Sequence, residues 1–97
     1  MSLQVIRRDE FKGKSVTVEF VIQMKQVQSL NTIMSLAGIM PRCNSPIGWD
    51  WDSHTGTCTV TQPWMYRGRI DNALRMFSEK WHPGFRTAAE IKRGVQA

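Results

Sequence analysis

Residues 15–25 read SVTVEFVIQMK, and the alternation in this stretch decides the fold class. Val16, Val18, Phe20, Ile22 and Met24 fall on one side of an extended chain, and Thr17, Glu19, Val21, Gln23 and Lys25 fall on the other. A period of two is the signature of a strand with one covered face, and the β-branched content agrees with it. A sheet covered on one face needs a second layer, which the rest of the chain must supply.

Upstream, Ser2–Arg7 reads as a shorter strand. Asp9–Lys14, polar and containing Gly13, supplies a turn that pairs the two strands antiparallel. Downstream the period changes. Leu30, Ile33, Met34 and Ala37 recur at helical spacing, with Ser29 or Asn31 as the cap and Gly38 as the stop, which predicts a helix over about 29–37. The stretch Val27–Met40 is also short enough for a strand. Pro41–Pro46, PRCNSP, reads as an irregular connection.

A second hairpin follows. Gly48–Asp52 places Trp49 and Trp51 on one face and Asp50 and Asp52 on the other; Ser53–Gly56 supplies the turn; Thr57–Gln62 returns, and Pro63 ends the ladder because it has no amide hydrogen. Ile70, Ala73, Leu74, Phe77 and Trp81 then form an apolar stripe that predicts a helix over 66–81. Gly68 weakens its first turn, and His82-Pro83-Gly84 stops it. Thr87 and Glu90 have capping-box spacing, which predicts a last short helix with Ala88, Ile91 and Val95 for packing. The expected architecture is a small two-layer α+β domain spanning residues 1–97, with a mainly antiparallel four-stranded sheet in the approximate order β-β-α-β-β-α-α. Several strand orders satisfy this pattern.

At 97 residues there is room for one domain and a modest core. No apolar run approaches the roughly 20 residues of a membrane span, and the opening is not that of a signal peptide. The expectation is a cytoplasmic chain without a membrane partner, in which Cys43 and Cys58 are free, buried or half-buried thiols.

Chemistry is sparse in the sequence. Asp50, Asp52 and His54 in GWDWDSHTGT are the one group in which a metal or acid–base site is conceivable, but the ligand spacing of a calcium loop is missing. Solvated carboxylates beside a turn are the simpler reading. A Cys58–His54 pair has no oxyanion-stabilising partner in view. No glycine-rich phosphate loop occurs. The sequence therefore predicts no catalytic residue, no metal ligand and no cofactor.

Binding has more support. The net charge is +5, and residues 63–97 hold seven basic groups against three acidic ones. Arg67, Arg69, Arg75 and Lys80, with Arg86, Lys92 and Arg93 further on, are candidate contacts to an acidic partner or to phosphates. Trp64 and Tyr66 are candidate aromatic anchors, and Met34, Met40 and Met65 offer adaptable apolar contacts. Trp81 continues the apolar stripe and is assigned to the core. The resulting expectation is a non-enzymatic accessory or regulatory protein that binds a protein partner, or a second copy through a strand edge. The alternative is largely nonspecific nucleic-acid binding.

Overall fold

The computed structural model describes residues 5–81, and in them two hairpins and two helices build the expected two layers. The strands are β1 (Val5–Phe11), β2 (Ser15–Val21), β3 (Gly48–Trp51) and β4 (Thr57–Pro63). The helices are α1 (Met24–Leu36) and α2 (Arg67–Trp81), and a 3-10 turn, Trp64–Tyr66, leads into α2. The predicted last helix, and with it Arg86, Lys92 and Arg93, lies outside the described residues.

The sheet order is β1-β2-β4-β3, antiparallel throughout. Two ββα units are thus joined through their second strands. Since β2 and β4 run antiparallel at the centre, the units are related topologically by an approximate two-fold axis normal to the sheet. The register sets Val16, Val18 and Phe20 beside Gln62, Val60 and Cys58. It also sets Trp49 beside Val60. This is the face that both helices cover. Leu30, Ile33 and Met34 from α1 and Ile70, Ala73, Leu74 and Phe77 from α2 complete a single buried cluster with it. The Phe77 ring meets Phe20 at a centroid distance of 6.4 Å and Trp81 at 6.4 Å.

Three element boundaries differ from those the sequence predicts. The alternation in 15–25 ends at Val21, because Met24 opens α1 and points to solvent at 73% exposure instead of continuing the core face. The helix starts five residues earlier than its apolar spacing predicts, since the first core-facing position is a glutamine. Gln26 is buried, its Oε1 accepts the Gln23 amide at 2.8 Å, and its own amide donates to the Gln23 carbonyl. One polar side chain thus fills a core position and satisfies a terminal donor, in place of the expected Ser29 or Asn31 cap. At the other end the Ile39 amide donates to Met34 O and Gly38 adopts φ +81°, the left-handed stop that glycine favours.

The third difference is β1, which runs to Phe11 rather than ending at Arg7. Its charged residues read as a link but occupy an edge strand. Arg7 bridges to Asp9 and to Glu19, each at 2.8 Å, and a bulge between Val5 and Arg7 breaks the ladder. Charges and bulges of this kind blunt an open edge. The opposite edge, β3, is covered by the chain itself: the Trp49 amide donates to Met40 O, and the Arg42 amide to Trp49 O. Gly48, at φ +123°, permits this approach, because a Cβ there would lie 2.7 Å from Met40 O.

Candidate binding surface at the strand-to-helix junction

The passage from β4 to α2 lifts three residues out of the core. Pro63 pairs with Ser15 at the end of β4, and the Trp64 amide then donates to Lys14 O at 2.9 Å. This contact seats the start of the 3-10 turn against the β1–β2 turn. Met65 is 74% exposed and Tyr66 42%. Trp64 is half-buried and packs against the core rim.

Each aromatic ring carries a guanidinium. Arg67 Cζ stands 4.3 Å from the Trp64 ring centroid, and its Nη1 donates to Trp64 O at 2.8 Å. Arg69 Cζ stands 4.1 Å from the Tyr66 ring, and its Nη1 donates to Gly38 O at 3.1 Å. The cation–π contact and the single hydrogen bond hold each arginine over its ring, so the junction is ordered before any partner arrives.

The candidate cations do not form one sheet of charge. Arg67 leans toward β1, where it lines an open cleft of about 500 Å³ with Arg8, Glu10, Met65, Gly68 and Asp71. Arg69 leans the other way, toward the end of α1. Arg75 is exposed on α2, and Lys80 lies a full turn and more beyond it, with Nζ 5.7 Å from the Trp81 ring centroid. Met40 is exposed as an adaptable contact must be, but Met34 is fully buried, so it belongs to the core and not to a binding surface.

Other contributors are hidden in the sequence by distance along the chain. Lys12, Lys14 and Phe11 are all exposed and come to the junction only through the Lys14–Trp64 hydrogen bond and the strand register. Arg8 connects the two layers. Its Nη1 bonds Asp71 Oδ1 at 2.8 Å and its Nε bonds Glu10 Oε1 at 2.7 Å. Burial disfavours the charged guanidinium, but hydrogen bonds to Asp71 and Glu10 and their negative charge outweigh it, and the pKa rises above the ordinary arginine value.

The residues of the 50–58 hairpin disperse. Asp50 faces the uncovered side of the sheet and pairs with Arg42 at 3.1 Å. Asp52 lies past the strand end, where Oδ1 accepts the His54 amide at 2.8 Å. Trp51, on the same face as the buried Trp49, is half-buried against the core and donates from Nε1 to Gly56 O at 3.0 Å. Cys58 is buried on the covered face. Burial, and after it the charge of Asp50, pushes its thiol pKa up, against a smaller opposing effect of Arg42. Cys43 is free and exposed, not half-buried as expected. Among the described residues, no three His, Cys, Asp or Glu side chains converge as a metal set, and no helix is long and apolar enough to cross a membrane. Comparisons with protein-family models, curated proteins and solved structures return no match.

Proposed function

We propose that this chain is a non-enzymatic accessory or regulatory module that docks a protein with an acidic rim onto the β4–α2 junction. The observation that carries this reading is the exposure of Met65 and Tyr66 beside two arginines already fixed on aromatic rings. Tyr, Trp and Arg dominate interface energetics, and methionine adapts to the partner's shape. Pre-fixed side chains lose little further rotamer freedom on binding. The non-enzymatic part of the reading is supported by the occupation of three of the groups weighed for chemistry. Asp50 holds Arg42, Asp52 holds a turn amide, and the Cys58 thiol is shut inside the core.

A photo-crosslinking residue in place of Met65 identifies the partner, and affinity is then measured with that partner purified. Met65→Ala with Tyr66→Ala lowers affinity by about 30-fold, the scale of a hot-spot loss of ~2 kcal/mol. Unchanged affinity in a folded double variant rejects the junction as the docking surface. Crosslinking of the chain to itself identifies the partner as a second copy.

A second reading, direct nucleic-acid binding, is favoured by one observation. Lys14, whose backbone carbonyl accepts the Trp64 amide, and Lys12 in the same turn make no ion pair among the described residues, whereas Arg7, Arg8 and Arg42 are all paired. Binding that steepens as salt falls, and that is lost in Lys12→Glu with Lys14→Glu, is the result this reading requires. No association with single- or double-stranded nucleic acid at low salt removes it.

A further inference from the structure

The far end of the helix pair carries a second feature, independent of the junction. Trp81 Nε1 donates to Ser29 Oγ at 3.2 Å, whereas Arg69 reaches Gly38. The two helices therefore run antiparallel, and the end of α2 lies against the first half of α1. Between them is an open cleft of about 370 Å³ lined by Lys25, Gln28, Ser29, Thr32, Lys80 and Trp81.

The chemistry of this lining has one sign. It contains two ammonium groups and no carboxylate, and α1 as a whole, MKQVQSLNTIMSL, has no acidic residue. Lys25 and Lys80 make no ion pair among the described residues. The Ser29 oxygen already accepts the Trp81 indole proton, so its own hydroxyl proton is turned to another acceptor. Thr32 is different, because its hydroxyl donates to Gln28 O at 3.3 Å within the helix. The donors that remain for a ligand are Lys25, Lys80, Ser29 and the Gln28 amide.

Trp81 supplies the other half of the site. It is half-buried against Phe77, and the part left exposed lines the cleft beside Lys80. An indole with the Lys80 ammonium 5.7 Å from its ring centroid, in a cleft that Lys25 also lines, matches a ligand with a flat ring and a phosphate. The geometry points to a nucleotide as that ligand, with its phosphate held by Lys25, Lys80 and Ser29 and its base laid on Trp81. The nucleotide is either free or part of a single strand.

Amide and indole resonances of the full chain, followed during titration with adenosine monophosphate, inorganic phosphate and a short oligothymidylate, test this assignment. The nucleotide and the oligomer should shift the amides of Lys25, Gln28 and Ser29 and the Trp81 indole, and phosphate alone should bind more weakly. Lys25→Glu with Lys80→Glu, both on exposed positions, should weaken nucleotide binding by about tenfold or more. An oligomer that binds far more tightly than the mononucleotide indicates a single strand as the natural ligand, and comparable affinities indicate a free nucleotide. Three results overturn the proposal: no shifts at these positions with millimolar nucleotide, phosphate binding as tightly as the nucleotide, or a charge-reversed variant that binds as well as the parent.

Discussion

The two ββα halves share a topology and differ at the step from strand to helix. In the first half, Ile22 and Gln23 alone separate β2 from α1, Ile22 is buried, and the first turn of the helix already buries Gln26. In the second half a 3-10 turn intervenes, and it projects Met65 and Tyr66 outward. The charges differ as well, because α1 has one cation and no acid, while α2 has four cations and two acids. A tight junction closes a core, and a longer one exposes side chains without loosening it. The edges repeat this contrast, with β1 guarded by its own charges and β3 covered by residues 40–42.

The largest expected effect tests whether the halves share one core. Phe20→Ala in the first half and Phe77→Ala in the second should each cost about 3–5 kcal/mol in denaturant unfolding. Their rings touch, so the double variant should depart from additivity by about 0.5–3 kcal/mol. Strict additivity would mean that the halves are energetically separate.

Gly48→Ala comes next, at about 1–3 kcal/mol, because it forces a side chain into a left-handed backbone and onto Met40 O. Loss of the cover over β3 should also increase hydrogen exchange at the amides of Trp49 and Arg42. Full protection in the variant would show that the 40–42 segment does not depend on the glycine.

The ion pairs separate the halves more finely. Arg8 joins β1 to α2 with its side chain only 11% exposed, whereas Arg42 and Asp50 are 31% and 49% exposed. Arg8→Ala should therefore cost about 1–3 kcal/mol and Arg42→Ala at most about 1 kcal/mol. Equal costs in thermal unfolding would contradict the burial argument.

The smallest effect has the opposite sign. Gly68 lies in the first turn of α2, needs no unusual backbone, and has open space where a Cβ would stand, with nothing within 4 Å of it. Gly68→Ala should stabilise the fold by about 0.4–1 kcal/mol. Destabilisation would mean that the 3-10 turn needs freedom at this position.

How much of this is readable in the chain varies by element. β2, the second hairpin and α2 are legible because their apolar residues repeat at the period of their own structure. The start of α1 is not, because Gln26 occupies the core-facing position and removes the apolar mark that would announce the helix. β1 reads short for a similar reason: an edge strand is charged where it meets water, and charge reads as loop. Trp64, Tyr66, Arg67 and Arg69 are legible as residue types, but their pairing into ring-and-guanidinium units is not.

From its residues alone, this protein was bound to form a two-layer α+β fold, since side-chain period dictates which face each element must bury. Tertiary structure alone decided the strand order, the arrival of the Lys14 carbonyl at the Trp64 amide, and the placing of Lys25, Lys80 and Trp81 around one cleft. Those arrangements join residues far apart in sequence, and only the packing of the two hairpins and the antiparallel helices sets the distances between them.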